Sequence, residues 1–504
     1  MRKFLLASTA VLGATMGLAN TAGAQTFSNS ESYENSAYGT GDAYATPGSV
    51  TVRLNGRFRF FGGVTAGSVR KTNFAVQAPT VVNGVVVTSA NVGTNKISNY
   101  GVGEYARLYP GFDGVAANGL KYGASLEIRQ DNTTGSGGGV YGGVSQSSRA
   151  RNALYFRRSW GYIGSDNFGT VRLGAADGPT TLYLTGTFEN YDTGSFQSDI
   201  SNLVPGANQI NWPFPDAGGF YSNTKIVYLS PQFYGFDGGV SFEPSTATGG
   251  GSGGPSSGGP GCNGNNNVNS YIQQGSPVPT PGCDSLSSTS TGDFARRRNT
   301  YEALVRYRGT FGPIGLATTA SFQGSSRVLD TSGINRIVYR DLLLSDFGLV
   351  LTYGGLQFGG NAMYGHFNTT GAGAAGNNLA PKGAPMSLAY TVGASYAIGP
   401  VIFGASYVDF NTPGDTTAYN TYQTRGTANQ RREQGINVGG TYTVAPGVSL
   451  FAQYQINQRK QNGFNFYSNS GANSTLFANP NDNLSTSHNK VNAQVFGLGS
   501  SFAW

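Results

Sequence analysis

The sequence predicts an all-β fold, a transmembrane antiparallel β-barrel of about sixteen strands with short turns at one end and long loops at the other. Three observations predict it. Apolar and polar side chains alternate over segments of about ten residues, the length a tilted strand needs to cross a bilayer. The connections between those segments are short and long by turns. After the N-terminal stretch, no apolar run approaches the roughly 20 residues of a membrane helix, and the mean hydropathy is only −0.25.

The first segment is read apart from the barrel. Met1-Arg2-Lys3, the mostly apolar run Phe4 to Leu18 and Ala22-Gly23-Ala24 before Gln25 form the charge, apolar core and small-residue cleavage pattern of a secretory signal over 1–24. A polar segment follows over 25–48, and the barrel occupies 49–504. Losing Arg2 and Lys3 lowers the formal net charge of +7 by two. The remaining bases are scattered along alternating segments, which argues against nucleic acid as a partner. Cys262 and Cys283, the two cysteines, lie in one Gly/Ser/Pro/Asn-rich stretch. In an exported protein they are expected to form a loop disulfide, contributing about 3 kcal/mol in the chain-entropy model. No metal site is expected, because no histidine or further cysteine lies near them.

The strands follow from parity. In Val50 to Phe60, Val50, Val52, Leu54, Phe58 and Phe60 form one face, and Arg53, Asn55, Arg57 and Arg59 the other. Leu120, Tyr122, Ala124, Leu126 and Ile128 oppose Lys121, Ser125, Glu127 and Arg129; Tyr301, Ala303, Val305 and Tyr307 oppose Glu302, Arg306 and Arg308; and Val448 to Ile456 repeats the pattern. One face must meet lipid and the other water. From Leu154 to Ile163 the parity is unresolved, since Trp160 and Tyr162 compete with Ser159 and Ile163 for the lipid face. Long polar connections fall near 67–98, 130–152, 175–222, 244–297, 324–338, 366–386, 411–430 and 460–488. Aromatic residues beside the short turns, among them Phe112, Tyr122, Phe233, Tyr234, Phe236, Tyr353, Phe358, Phe502 and Trp504, suit an interfacial girdle.

The chain ends Phe496-Gly-Leu498-Gly-Ser500-Ser-Phe502-Ala-Trp504, alternating up to a terminal aromatic. This ending, together with WGYIGSDNFGTVRLG (160–174) and NTKIVYLSPQFYGFDGGVSF (223–242), resembles the Gram-negative general porin family. The two internal stretches look like its fourth-to-fifth and sixth-to-seventh strand hairpins. The final Trp in place of the usual Phe, the polar lead and an enlarged fourth outer loop depart from the pattern. The resemblance implies a water-filled channel in the outer membrane, passing small hydrophilic solutes by passive diffusion, and a homotrimer. It also makes Phe502 and Trp504 the C-terminal assembly signal, read by periplasmic chaperones and the barrel-assembly machinery. Membrane lipid and lipopolysaccharide are the surrounding partners. Arg296-Arg297-Arg298 and Arg431-Arg432, at the outer starts of strands, could bind lipopolysaccharide phosphates or form a solvated rim.

In that family the third outer loop folds inward, which here is 175–222. Pore-constriction candidates are therefore Asp177, Glu189 and Asp192 on the loop, expected to face some of Arg53, Arg57, Arg59 and Arg107 on the wall. Lys121, Arg129, Arg172, Arg306 and Arg308 complete the lumen set. A substrate-selective porin, for carbohydrates for instance, is the alternative, with Phe451 at an inward position as its hint. An outer-membrane hydrolase or adhesin is more remote. His366 and His488 are the only histidines, and neither stands in a nucleophile motif with Ser345 or Ser487. No catalytic residue and no cofactor is expected; Gly101 to Ala106 matches a dinucleotide motif by letter, without the strand-to-helix setting that motif needs.

Overall fold

The computed structural model describes residues 48–68, 71–77, 80–82, 85–88, 91–96, 98–131, 154–191, 196, 199–204, 208–214, 224–245, 298–326, 341–367, 385–413, 430–462, 464–466, 470–471 and 489–504. Sixteen strands close into one antiparallel barrel. They are β1 (Val50–Gly67), β2 (Tyr100–Val115), β3 (Lys121–Asp131), β4 (Tyr155–Ser165), β5 (Gly169–Ala175), β6 (Thr224–Leu229), β7 (Phe236–Ser245) and β8 (Arg298–Phe311). The second half comprises β9 (Ile314–Ser326), β10 (Leu343–Tyr353), β11 (Leu356–His366), β12 (Ser387–Ile398), β13 (Val401–Thr412), β14 (Arg431–Ala445), β15 (Val448–Gln461) and β16 (Lys490–Ala503). Each strand pairs with its sequence neighbours, and β1 closes the ring on β16 from Arg57↔Ala503 to Gly67↔Ala493. Closure leaves no unpaired edge, which is what hydrocarbon demands of a sheet. No helix among the described residues is long and apolar enough to cross a membrane.

The expected parity holds around the ring. Val52, Leu54, Phe60, Val240, Val305, Phe347, Phe403, Val438 and Leu498 are exposed on the outer surface, whereas Arg57, Arg59, Glu127, Arg129, Glu302 and Gln453 are buried inside. The aromatic residues at the short turns all lie exposed at the periplasmic ends of strands, where their amphipathic rings suit the interface. The hairpins expected over 160–174 and 223–242 are β4–β5 and β6–β7.

The ambiguous stretch 154–163 is explained by a β-bulge. Across β3 and β4 the register slips between Glu127↔Arg158 and Ile128↔Phe156, so that Arg157 is the extra residue. An extra residue flips the parity beyond it. Phe156 and Ile163 therefore face outward, and Trp160 faces inward under Arg172. The adjacent Arg157 and Arg158 both reach Glu127, at 3.1 and 3.2 Å.

The interior is not uniformly wet. Inward positions of β10 to β13 carry Leu344, Met363, Ala389, Val408 and Phe410, which pack with Leu184, Phe196, Ile210, Trp212 and Phe214 of the third outer loop. A second cluster joins Phe61, Tyr105, Phe451, Ala493 and Val495 of the wall to Ile200 and Val204 of the loop. Each such buried aliphatic or aromatic side chain contributes about 1.5–3 kcal/mol, so the loop is held as a packed layer.

Candidate channel constriction

The third loop leaves β5 at Ala176 and turns inward through a short helix, α1 (Pro179–Leu182), seated beside β6, β7 and β8. Pro179 supplies the first helical position, where its missing N–H is no loss. Glu302 on β8 accepts the Thr180 N–H at 3.3 Å and the Ser241 hydroxyl at 2.9 Å, and pairs with buried Lys225 at 3.6 Å. Beyond α1 the loop circles the inner wall, and at a succession of contacts the wall offers glycine. Thr185 lies on Gly348 of β10, Phe188 on Gly393 of β12, Tyr191 on Gly404 of β13, Phe196 on Gly435 of β14, Ile200 on Gly497 of β16 and Leu203 on Gly63 of β1. Only a missing side chain lets backbone and ring approach this closely.

Polar contacts fix the register of that wrap. Asn190 donates to Gln357 Oε1 at 2.6 Å and to Ser395 Oγ at 2.7 Å. The Tyr191 hydroxyl bonds Ser406 Oγ at 3.2 Å, and its carbonyl accepts from Thr441 Oγ1 at 3.2 Å. Burial pushes the Tyr191 hydroxyl above the ordinary phenol range, so it remains a neutral donor. On the return path the Asn211 N–H and side-chain amide donate to Glu433, which Arg459 also holds at 3.0 Å.

The wall left to the lumen is basic. Eight strands around from β12 stands β4, so the loop faces the arc β2 to β5 across the channel. At its edge Arg107 of β2 and Arg57 of the adjoining β1, opposite one another in register, flank Tyr105 at 4.3 and 5.4 Å from its ring centre. Arg129 is opposite Arg107 and pairs with Glu127. Arg158 bridges Glu127 and Asp177, and Arg172 lies 4.4 Å over the Trp160 ring. Stacking on aromatic faces holds guanidinium planes in place without neutralising them.

The sequence pattern that defines the Gram-negative porin family matches residues 7–462. This chain is a Gram-negative porin. It resides in the outer membrane, and no curated protein matches it closely enough to add a nearer relative. Among solved structures, this porin is similar to a loop-deletion mutant of OmpT, an outer-membrane protein of Vibrio cholerae, at 13% identity over 90% of this chain and 99% of that one, with a TM-score of 0.45. A trimer form of OmpT matches at 13% identity over 90% and 100%, with a TM-score of 0.43. A mutant porin of Rh. blastica matches at 14% identity over 90% and 100%, with a TM-score of 0.41.

The porin's candidate constriction residues divide into groups. Arg57, Arg59, Arg107, Arg129 and Arg172 share the arc β1 to β5. Arg306 and Arg308 pair with Asp237 on the next arc, at 2.6 and 3.0 Å, with Arg306 also 3.8 Å over the Tyr183 ring of the loop. Arg53 with Asp113, and Lys121 with Asp166, lie instead at the periplasmic ends of their strands, away from the loop. Asp177 meets Arg158 on β4. Glu189 accepts the Thr187 hydroxyl at 3.3 Å on the stretch of loop that crosses β12 and β13. The loop acid that reaches β1 is Asp199, 2.7 Å from Arg59. Asp192, Cys262, Cys283, Arg296 and Arg297 lie outside the described residues. Phe451 does not line a track for sugars: it is buried beneath Arg59, 4.4 Å from its ring centre, and Ile200.

Sequence reading missed Glu127, Arg157, Arg158 and Asp199 as partners. Two adjacent arginines within an alternating strand were the available signal for the first three, since one of them has to break parity. For Asp199 there was none, because its position depends on the length of wall the loop follows. Asp199→Asn is expected to unlatch the far end of the loop from β1. Breaking such a buried pair costs about 3–5 kcal/mol locally, read as increased open-channel current noise. Unchanged noise would show that the apolar contacts alone seat the loop.

Proposed function

We propose that this porin is a general-diffusion channel for small hydrophilic solutes that prefers anions to cations. The observation that carries this reading is the imbalance of fixed charge turned inward along the arc β1 to β5, where among the described residues Arg57, Arg59, Arg107, Arg129, Arg157, Arg158 and Arg172 stand with the acids Glu127, Asp177 and Asp199. In a narrow, low-dielectric passage fixed charge of one sign concentrates the opposite ion. The loop acid Glu189 opposite that arc gives the field a transverse direction, which orients dipolar solutes as they pass. Passage, not catalysis, is the activity in this reading. A carbohydrate-selective channel loses its one hint with the burial of Phe451.

In a planar bilayer with a salt gradient, the reversal potential is expected to report anion selectivity. Replacing Arg57 and Arg107 together by glutamine is expected to move it several millivolts toward cation selectivity while the channel still conducts. A cation-selective wild-type channel defeats the proposal.

The same reading takes 1–24 as a cleaved signal, 25–48 as a polar lead, and Cys262 with Cys283 as a loop disulfide. It also takes the assembled form as a homotrimer, supported by family membership. Mass of the mature protein, thiol titration and cross-linking of the folded protein test these in turn.

A further inference from the structure

Beneath the third outer loop lies a carboxylate that the channel does not use. Asp346 points inward from β10 and is 4% exposed. Ser321, its register partner on β9, donates to Oδ2 at 3.5 Å, a long and therefore weak bond, and Oδ1 has no hydrogen-bond partner. Asp346 forms no ion pair among the described residues.

The elements packed around it offer no counter-charge. β9, β10, β12 and loop residues 184–190 contain no lysine, arginine or histidine, and the one base of β11, His366, stands at the outer end of that strand opposite Leu343. Glu189, the charged residue in that stretch of loop, is a second acid. Arg306 of β8 is the register partner of Thr319, but its guanidinium is held by Asp237 and the Tyr183 ring. An isolated carboxylate taken out of water costs far more than one weak hydrogen bond returns, so buried charges are paired or bind a cation.

Further oxygens in the same condition surround this acid. Thr319 of β9 and Asn361 of β11 are the register partners of Gly348, which follows Asp346 on the same face of β10. Thr319 Oγ1 and Asn361 Oδ1 are buried without a hydrogen-bond partner, and so is Gln323 Oε1, at the next inward position of β9 beyond Ser321. The loop covers them: the Thr185 carbonyl oxygen and Thr319 Oγ1 lie 2.2 and 2.7 Å from where a Gly348 Cβ would stand, and Asn361 Nδ2 donates to that carbonyl at 3.0 Å. The patch is rich in oxygen acceptors and holds no positive charge.

We propose that Asp346 binds a sodium ion, with Thr319 Oγ1, Asn361 Oδ1, Gln323 Oε1 and the Thr185 carbonyl as its uncharged oxygen ligands, and that this ion fastens the first limb of the third loop to β9, β10 and β11. Carboxylate, carbonyl and hydroxyl oxygens select a hard cation. Charge selects among hard cations: a single carboxylate balances one positive charge, whereas calcium gathers about six to eight oxygens and owes its tighter sites to a larger count of charged ligands. Because Thr185 belongs to the loop and the other ligands to the wall, the site is complete only when the loop is seated.

The test uses folded, full-length mature protein in detergent, heated in steps and scored by the fraction that still migrates as folded barrel, in sodium chloride and in choline chloride at equal ionic strength. Choline is too large for the site. An ion bound by the folded state alone stabilises it, so the wild-type midpoint is expected to lie several degrees higher in sodium, and D346N to show one midpoint in both salts. Conductance in a planar bilayer verifies that the variant is folded. Equal wild-type midpoints in the two salts overturn the proposal, and so does a sodium response that D346N retains. If the midpoint ignores sodium and falls with rising pH instead, a proton neutralises Asp346 and the proposal is likewise overturned. Should D346N not assemble, T319V replaces it: loss of one ligand is expected to raise the sodium concentration at half effect about tenfold, and an unchanged value overturns the proposal. No base of the arc β1 to β5 takes part in this site, so failure here leaves the channel reading untouched.

Discussion

Replacing Gly404 by leucine is expected to lower single-channel conductance on the order of twofold and to destabilise the seated loop by about 1–3 kcal/mol. Gly404 faces inward from β13, and the Tyr191 ring lies against its backbone; a Cβ built there would overlap that ring. The wall cannot yield, because β13 is bonded along its whole length to β12 and β14. The ring must move instead, and the space open to it is the channel. As Tyr191 leaves, its bonds to Ser406 and Thr441 go with it, and the neighbouring Asn190 loses its grip on Gln357 and Ser395. Tyr191→Ala in the same chain removes the obstructing ring, so the double variant should recover conductance lost by the single one. Strictly additive effects of the two substitutions would show that the ring and the glycine do not act as a seat.

Gly56→Val should have the larger effect, stopping assembly altogether. Gly56 lies on the outward side of β1, yet it is buried, because the Trp504 indole covers it. The two residues exchange backbone bonds, Gly56 N to Trp504 O and Trp504 N to Gly56 O, both at 3.1 Å. Beside them the rings of Phe58 and Phe502 pack at a tilt, with centres 6.3 Å apart. These contacts form the periplasmic end of the seam where the first and last strands meet. A valine side chain there collides with the indole, and a seam that fails to close leaves strand edges in hydrocarbon, each unsatisfied group costing several kcal/mol. The fraction of unboiled protein migrating as folded barrel is therefore expected to fall about tenfold or more. A normal folded fraction would mean that Trp504 is dispensable to closure, and the proposed role of Phe502 and Trp504 as assembly signal would weaken with it.

The legible and illegible parts of this porin separate by the range of the interactions that set them. Strand parity is local: Val52 and Arg53 must part company because one solvent is hydrocarbon and the other water, and no distant residue alters that. Hairpins such as 160–174 were readable for the same reason, since a short turn fixes its own register. The inward arginines were equally legible as lumen residues. Their partners were not, because Glu127 meets Arg157 and Arg158 only through a bulge, and Asp199 meets Arg59 only after the loop has crossed most of the wall.

By itself, then, the sequence determined a membrane barrel with alternating faces, its approximate strand number, its orientation and the bases lining its interior, all consequences of period-two patterning in a two-solvent environment. Tertiary structure alone decided that inward Phe410, Met363 and Phe451 lie dry beneath a loop instead of facing water, which glycines serve as that loop's seat, and which arc of wall remains to the channel. The physical reason is that burial of an inward side chain depends on what is laid over it, and the covering segment lies far away in the chain.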